Sequence, residues 1–287
     1  MINIFILNWN SANDIDELLN SLTFSNNKAF RVILIHNGTN DWDELVDLSI
    51  KYSNEFEIHV VNNNDNFGYA GGNNAGFNYL SNNDIDGDLL ILNPDVVLDK
   101  TTIDELVLAK NSEEDVGSVM VRTVEDENII YDSIVFSGFT QKYSIYSTRS
   151  IISTDYCAGS CILIDREMVE RVGLFDENYF LYWEEVDFSL RIMEEGYKLL
   201  STTKSQIRRK KNSTERSSNA YYYFIRNSFL LRKKFPLNRG NVCHFWFIIK
   251  AIFSSFYKSV AELNFNYLTS SVKGLFDGIN ENYGKRP

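Results

Sequence analysis

Ile2-Asn3-Ile4-Phe5-Ile6-Leu7-Asn8-Trp9-Asn10 opens the chain with a short apolar run that breaks into polar residues. Ile2 to Leu7 reads as a buried strand, the kind found in parallel sheets. The segments that follow extend the pattern. Asn13 stands where it would cap a helix carrying Ile15, Leu18, Leu19 and Leu22 on one face. Arg31 to Ile35 is a second strand, Trp42 to Tyr52 a second helix, and Glu57 to Val61 a third strand. A loop dense in Asn and Gly, Asn62 to Asn74, precedes a helix ending near Leu80. Asp88 to Leu92 is a fourth strand, stopped by Asn93-Pro94-Asp95, since proline neither donates to a ladder nor leaves its predecessor helical. Strands alternating with helices predict an α/β fold, a mainly parallel sheet flanked by helices.

Later segments are a strand from Val116 to Val124, a β excursion from Ile129 to Phe136, a strand from Cys161 to Ile164 and a helix from Glu184 to Glu195. Beyond Ser217 the pattern is helical to the end. Two regions are expected, an α/β unit over 1–215 and a basic, amphipathic helical extension over 216–287.

The composition, 44% hydrophobic and 23% charged over 287 residues, is that of a globular chain and excludes disorder, collagen and disulfide scaffolds. The net charge of -11 hides a division. Met1 to Tyr197 carries 11 Lys/Arg against 35 Asp/Glu, whereas Lys198 to Pro287 carries 17 against 4. An acidic body argues against nucleic acid as a partner, because that affinity rests on cationic contacts to phosphate. Cys157, Cys161 and Cys243 lack zinc-site spacing, and a reducing cytoplasm fits them best. The most apolar stretch, Val242 to Tyr257, is broken by His244 and Lys250 and falls short of the roughly 18 apolar residues of a spanning helix.

Polar residues at strand ends are where open α/β sheets place ligands. Asn8 to Asn10, His36 to Asn37 and Asn93 to Asp95 are three such clusters, and Glu184, Glu185 and Asp187 open a late helix. The Gly-rich stretch Asn66-Phe67-Gly68-Tyr69-Ala70-Gly71-Gly72-Asn73-Asn74-Ala75-Gly76 matches neither dinucleotide nor P-loop fingerprints. It has two readings, a tight loop packed on the sheet or a helix start whose amides face phosphate. Asn93-Pro94-Asp95 likewise reads as a turn capping the next helix or as part of a site.

Taken in order with Ile35-His36-Asn37-Gly38-Thr39 and the run Gly173 to Arg191, these motifs resemble the inverting glycosyltransferase family 2, particularly its bacterial rhamnosyltransferase-like members. The likeness runs from about Met1 to Asn227. It implies a GT-A fold, a nucleoside-diphosphate sugar donor linked to dTDP or UDP, and a divalent cation, Mg²⁺ or Mn²⁺, bridging the diphosphate. By that carry-over Asn8, Asn10, His36 and Asn37 line the nucleoside pocket, and Gly68 and Asn74 lie near ribose and diphosphate. Asn93 joins the donor site and Asp95 is the metal-binding acid. Glu185 falls where the family places its base, with Glu184 and Asp187 as neighbours able to take that role. Asp187 and Arg191 are one helical turn apart, so a bracing salt bridge is also expected of them. Arg226 and Asn227 match a late family signature.

Three positions depart from the family pattern. His36 stands where an Asp is usual, Glu185 where many members have Asp, and Ser205 to Ser213 lacks a His that relatives carry. In its place Arg208 aligns best as a cation for the diphosphate, while Lys210 and Lys211 read equally as a basic solvated loop. Downstream, Phe245 to Ile249, Ile252, Phe253, Phe256 and Tyr257 form an apolar helix set among His244, Lys250 and Lys258. Such a helix suits the inner face of the cell membrane, as a peripheral contact that brings in a lipid-linked saccharide acceptor. It equally suits packing on the catalytic unit or a homodimer contact. The activity implied is transfer of a sugar, rhamnose being one candidate, to a saccharide acceptor in surface polysaccharide synthesis. A non-catalytic nucleotide-sugar-binding partner subunit is the alternative, and a sugar-phosphate nucleotidyltransferase a weaker one. The last would need a basic Gly-rich loop where Asn8-Trp9-Asn10 stands.

Overall fold

The computed structural model describes residues 1–146, 148–210, 217–235 and 240–286. The first half alternates as β1 (Ile2–Asn8), α1 (Ala12–Thr23), β2 (Phe30–Asn37), α2 (Trp42–Tyr52), β3 (Glu57–Asn63), α3 (Gly68–Asn82) and β4 (Asp88–Leu92). Then come β5 (Val96–Leu98), α4 (Thr102–Lys110), β6 (Val116–Glu125), β7 (Asn128–Tyr131), β8 (Ser133–Ser137), β9 (Thr140–Ser144) and β10 (Ile151–Ser153). The remainder is β11 (Cys161–Ile164), α5 (Arg166–Val172), α6 (Glu184–Glu194), β12 (Lys198–Arg209), α7 (Ser218–Lys234), α8 (Gly240–Ala261) and α9 (Asn266–Ile279).

The main sheet runs in the order β10-β12-β6-β11-β4-β1-β2-β3, with β5 and β7 pairing at β12 and β6, while β8 and β9 form a separate hairpin. The β4-β1-β2-β3 half is parallel, and β11 is antiparallel to both β4 and β6. Side chains alternate across the sheet as a two-residue period requires. Ile4 and Ile6 join Ile15, Leu18, Leu45 and Ile103 on one face, while Phe5 joins Ala70, Leu80, Met168 and Phe188 on the other. Each such aliphatic burial contributes about 1.5–3 kcal/mol, which makes the central strands the anchor of the molecule.

From β1 the chain steps outward to β2 and β3, then returns to the opposite side of β1 with β4. That reversal opens a crevice at the strands' carboxyl ends. Register places Asn8 beside His36 and His36 beside Asn62, one polar row along that edge.

Three local expectations change. Asn13 lies inside α1, whose N-cap is Ser11, itself held by Asn8. The Gly-rich stretch is helix from Gly68 onward, because its small residues let the helix sit against Leu7 and Ile35: a Cβ on Gly72 would meet Leu7 at 2.5 Å, and one on Gly76 would meet Ile35 at 2.5 Å. After Asn93-Pro94-Asp95 comes the short strand β5, not a helix. The expected regional boundary, between 215 and 216, lies outside the described residues, as does Lys211. Helix α7 is tied to the α/β part, since Trp183 Nε1–H donates to the Phe224 carbonyl at 2.8 Å.

Candidate active site

A cavity of about 820 Å³ opens at the crevice beside β1. Leu7, Trp9, Asn93, Pro94 and Asp95 form one wall, Asn37, Asn66, Gly68 and Tyr69 the next, and Phe180, Asn219, Tyr223 and three cations of the last helix and its tail complete it. Its size and mixed lining suit a sugar nucleotide rather than an ion alone.

On the β2–β3 side the expected residues divide. Asn37 is buried, accepts from the Phe67 amide at 3.1 Å and donates to Asn66 and to the Gly68 carbonyl at 3.2 Å, so it shapes the wall. Gly68 has φ +71°, and a Cβ there would lie 2.1 Å from the Phe180 carbonyl, so only glycine fits. The amides at the start of α3 do not face the cavity as free donors. Gly68 N–H goes to Asn66 Oδ1 at 2.8 Å and Tyr69 N–H to the Phe180 carbonyl at 2.7 Å, so the anion-binding reading of this helix start is replaced by a protein cap.

Other donor-site expectations are displaced. His36 is buried, its Nδ1 held by Asn62 at 2.9 Å and its Nε2 by the Thr39 carbonyl at 3.0 Å, so both ring nitrogens are spent inside the fold. Asn8 is fully buried and accepts from Ser11 N–H at 3.0 Å, positioning the loop rather than touching the cavity. Asn10 lines a separate acidic cleft with Asp14, Asp41 and Glu44. Asn74 pins α3 to the Phe175 backbone at 2.8 and 3.1 Å, outside the cavity lining. Arg208 is half exposed and pairs with Asp99 at 3.1 Å, because strand alternation turns it away from the carboxylates. Its neighbour Arg209 is the residue whose charge reaches Glu185.

The carboxylates at the start of α6 are presented by a strained turn. Phe180, Tyr182 and Trp183 hold φ of 61°, 69° and 75° within four residues. Backbone of this kind costs on the order of 1–3 kcal/mol per residue and persists only where neighbours fix it. Asn227 Nδ2 donates to the carbonyls of Tyr179, Leu181 and Tyr182 at 2.8, 2.8 and 2.9 Å, and the buried Arg226 donates to Tyr179 and Asn178. This is the physical work of the late motif.

Glu185 is partly exposed, and its Oε1 accepts the Gly159 amide at 2.8 Å. Burial pushes its carboxyl up to about 7, while the Gly159 N–H and the Arg209 charge restrain the rise. Glu184 is buried with Oε2 unpartnered among the described residues, and burial plus the neighbouring Glu185 charge raise its carboxyl well above the ordinary range. Asp187 does not belong with them as a base. It is fully buried among Arg191 Nε at 2.8 Å, Lys234 Nζ and Tyr179 Oη at 3.1 Å, which makes it the brace of the helix.

Glu185 stands behind the cavity wall rather than on its lining. Tyr69, which does line the cavity, donates its hydroxyl to the Gly159 carbonyl at 2.9 Å, and Asn93 N–H donates to the Ser160 carbonyl at 3.1 Å. The 159–160 backbone therefore links the Asp95 turn to Glu185. The Asp95 carboxylate meets the cavity with no side-chain partner among the described residues, and no group of three metal-ligating side chains occurs there. One free, hard oxygen donor beside open space fits a Mg²⁺ or Mn²⁺ ion whose shell is filled mostly by substrate phosphate and water.

The family model described as Glycosyl transferase family 2 matches residues 3–173. The chain belongs to this family. The match includes the Asp95 turn and ends before Glu184 and Glu185. Among relatives, the low-salt glycan biosynthesis hexosyltransferase Agl10 of Haloferax volcanii is 26% identical over 202 residues, which is 68% of this chain and 62% of that protein. The N-acetylglucosaminyl-diphospho-decaprenol L-rhamnosyltransferase of Mycobacterium tuberculosis is 24% identical over 212 residues, covering 64% of this chain and 67% of its own length. The solved structure of S. aureus TarS 1-349 in complex with UDP-GlcNAc superposes with a TM-score of 0.65 at 13% identity, covering 97% of this chain and 80% of that one. That likeness establishes the GT-A fold expected from the sequence.

Proposed function

We propose that the chain is an inverting glycosyltransferase of glycan biosynthesis that moves a hexose, with rhamnose the first candidate, from a dTDP- or UDP-linked donor to a saccharide acceptor. The observation that carries this reading is the backbone at 159–160, which joins the Glu185 carboxyl, raised by burial, to the turn that sets Asp95 on the cavity wall. Glu185, which stands behind the wall of the donor cavity but is partly exposed, takes the proton of an acceptor hydroxyl that approaches on its own side, the freed oxygen attacks the anomeric carbon, and the bond from that carbon to the diphosphate oxygen breaks. Asp95 would hold a divalent cation, which supplies charge neutralisation to the departing diphosphate. Asn93 and Asn37 shape the donor wall. The names of the Mycobacterium and Haloferax relatives support a glycan acceptor. Nucleoside diphosphate release across a panel of sugar nucleotides tests the reading. Glu185→Gln is expected to cut kcat by about 10²–10⁴ with donor Kd unchanged; retained turnover would move the base elsewhere.

The acceptor is proposed to be lipid-linked and reached at a membrane surface. Helix α8 exposes a broad aromatic stripe: Phe245, Trp246, Phe253, Phe256 and Tyr257 face outward, while His244, Ile248, Ser255 and Ser259 are buried and Phe247 packs against Trp183 and Phe224. Lys250 lies exposed beside that stripe. Among the described residues no helix is long and apolar enough to cross a membrane. An aromatic stripe with adjacent cations fits the interface of an anionic bilayer. Flotation of the full chain with anionic vesicles at low salt is expected; a soluble dimer that ignores vesicles would assign the stripe to self-association.

A further inference from the structure

The basic second part of the chain meets the acidic first part at the cavity, whose lining carries charges of both signs. Asp14 of α1 and Asp95 after β4 line it together with Lys273 of α9 and with Lys285 and Arg286 of the tail. Two of these are neutralised locally, Asp14 by Lys210 at 2.6 Å and Lys285 by Asp65 at 2.8 Å. Lys273 and Arg286 have no carboxylate partner among the described residues. Among the described residues, then, the cavity lining includes the Asp95 carboxylate and two cations without a carboxylate partner.

Arg286 is locked in place. Its Nη1 donates to Asn219 Oδ1 at 2.8 Å and to Ser270 Oγ at 3.2 Å, its guanidinium lies over the Tyr222 ring at 4.5 Å, and its amide donates to Tyr223 Oη at 2.8 Å. The strap that carries it is fastened at both ends. Gly284 N–H donates to the Asn178 carbonyl at 2.8 Å, the Gly284 carbonyl accepts from Arg226, and Lys285 reaches Asp65 beside the nucleoside wall. An immobilised guanidinium with neutral partners keeps donor capacity for an anion and loses little entropy on binding it.

We propose that Lys273 and Arg286 form an anion subsite that takes the diphosphate of the bound sugar nucleotide, so that the strap at 282–286 is part of the donor site. The inference rests on the donor reading above and assigns to this strap the role that sequence alignment gave Arg208. Two cations match the two negative charges of a diphosphate diester and oppose the further charge that forms as the sugar–oxygen bond breaks.

The test titrates wild type, Lys273→Gln, Arg286→Gln and the double variant with inorganic pyrophosphate and with UDP and dTDP, in Mg²⁺, by calorimetry. Each single variant is expected to weaken pyrophosphate and nucleoside diphosphate about tenfold, and the double variant more, with uridine and thymidine binding unchanged. The salt dependence of binding should flatten in parallel. Lys273 is exposed on α9, so its variant decides the matter even if Arg286→Gln lowers the melting point. Equal affinities in wild type and variants, or equal weakening for nucleoside and diphosphate, would overturn the subsite. If pyrophosphate binding depends on these residues while no nucleoside diphosphate binds wild type, the subsite stands and the donor reading falls. If wild type binds neither probe, both fall.

Discussion

At Glu185 the balance is between burial, which favours the neutral acid, and one amide plus one arginine, which favour the anion. The outcome near 7 sets a sign. A base must be ionised, so kcat/KM is expected to rise with pH through about 7 and then level, and Glu185→Gln removes that limb. A profile flat between pH 6 and 8 would separate Glu185 from the proton transfer. Asp187 is the contrasting case, since its charge is spent on Arg191 and Lys234. Asp187→Asn should cost about 3–5 kcal/mol of stability by leaving buried cations unpaired, read as a lowered denaturation midpoint. For Asp95→Asn the expected result is loss of metal-dependent donor binding with an unaltered melting point; unchanged donor affinity with Mg²⁺ would contradict its role. The roles expected of Asp95 and Glu185 came from the family resemblance, and neither it nor the residue types told which polar groups would be consumed internally. His36 and Asn74 read as ligand contacts because sequence does not show that Asn62, Thr39 and Phe175 satisfy them.

Among the elements, the decisive one is the turn before α6, whose three left-handed residues aim Glu184 and Glu185 toward Gly159 and Tyr69. Nothing local favours Phe180, Tyr182 and Trp183 in that conformation. It is fixed from α7, by one asparagine amide spread over three carbonyls and one arginine beside it. Asn227→Ala is therefore expected to lower kcat more than it raises donor KM, because both carboxylates hang on this turn whereas only its Phe180 and Leu181 line the donor cavity and the rest of the lining lies on other elements. A parallel loss in both, with a large fall in melting point, would mean that Asn227 only supports the fold. The regular elements were legible in sequence: Trp42–Tyr52 and Asp88–Leu92 match their apolar pattern to the residue, and the strand read near Cys161 to Ile164 is there. The Gly-rich start of α3 was not, because its helix is dictated by close packing on Leu7 and Ile35 rather than by propensity.

Across the whole molecule, the charge division and the exposed aromatic stripe follow from one arrangement. The α/β part supplies the carboxylates, the helical part supplies cations to the cavity, and α8 turns its aromatic stripe away from both. A helix that leaves Phe245, Trp246, Phe253, Phe256 and Tyr257 outside would be a liability in water unless that face is covered in use. Under the proposed membrane contact a bilayer would cover it and convert the search for a lipid-linked acceptor from one in volume into one on a surface. Phe253→Glu with Tyr257→Glu adds two negative charges to the exposed stripe without touching the donor wall. Turnover on a short water-soluble acceptor should stay within about twofold of wild type, whereas turnover on the same saccharide anchored in anionic vesicles should fall at least about tenfold at low salt, the size expected when about 1 kcal/mol or more of interfacial attraction is lost per charge. Equal losses on both acceptors would mean that the stripe acts through the fold, and no loss on either would leave the bilayer without a part in the reaction.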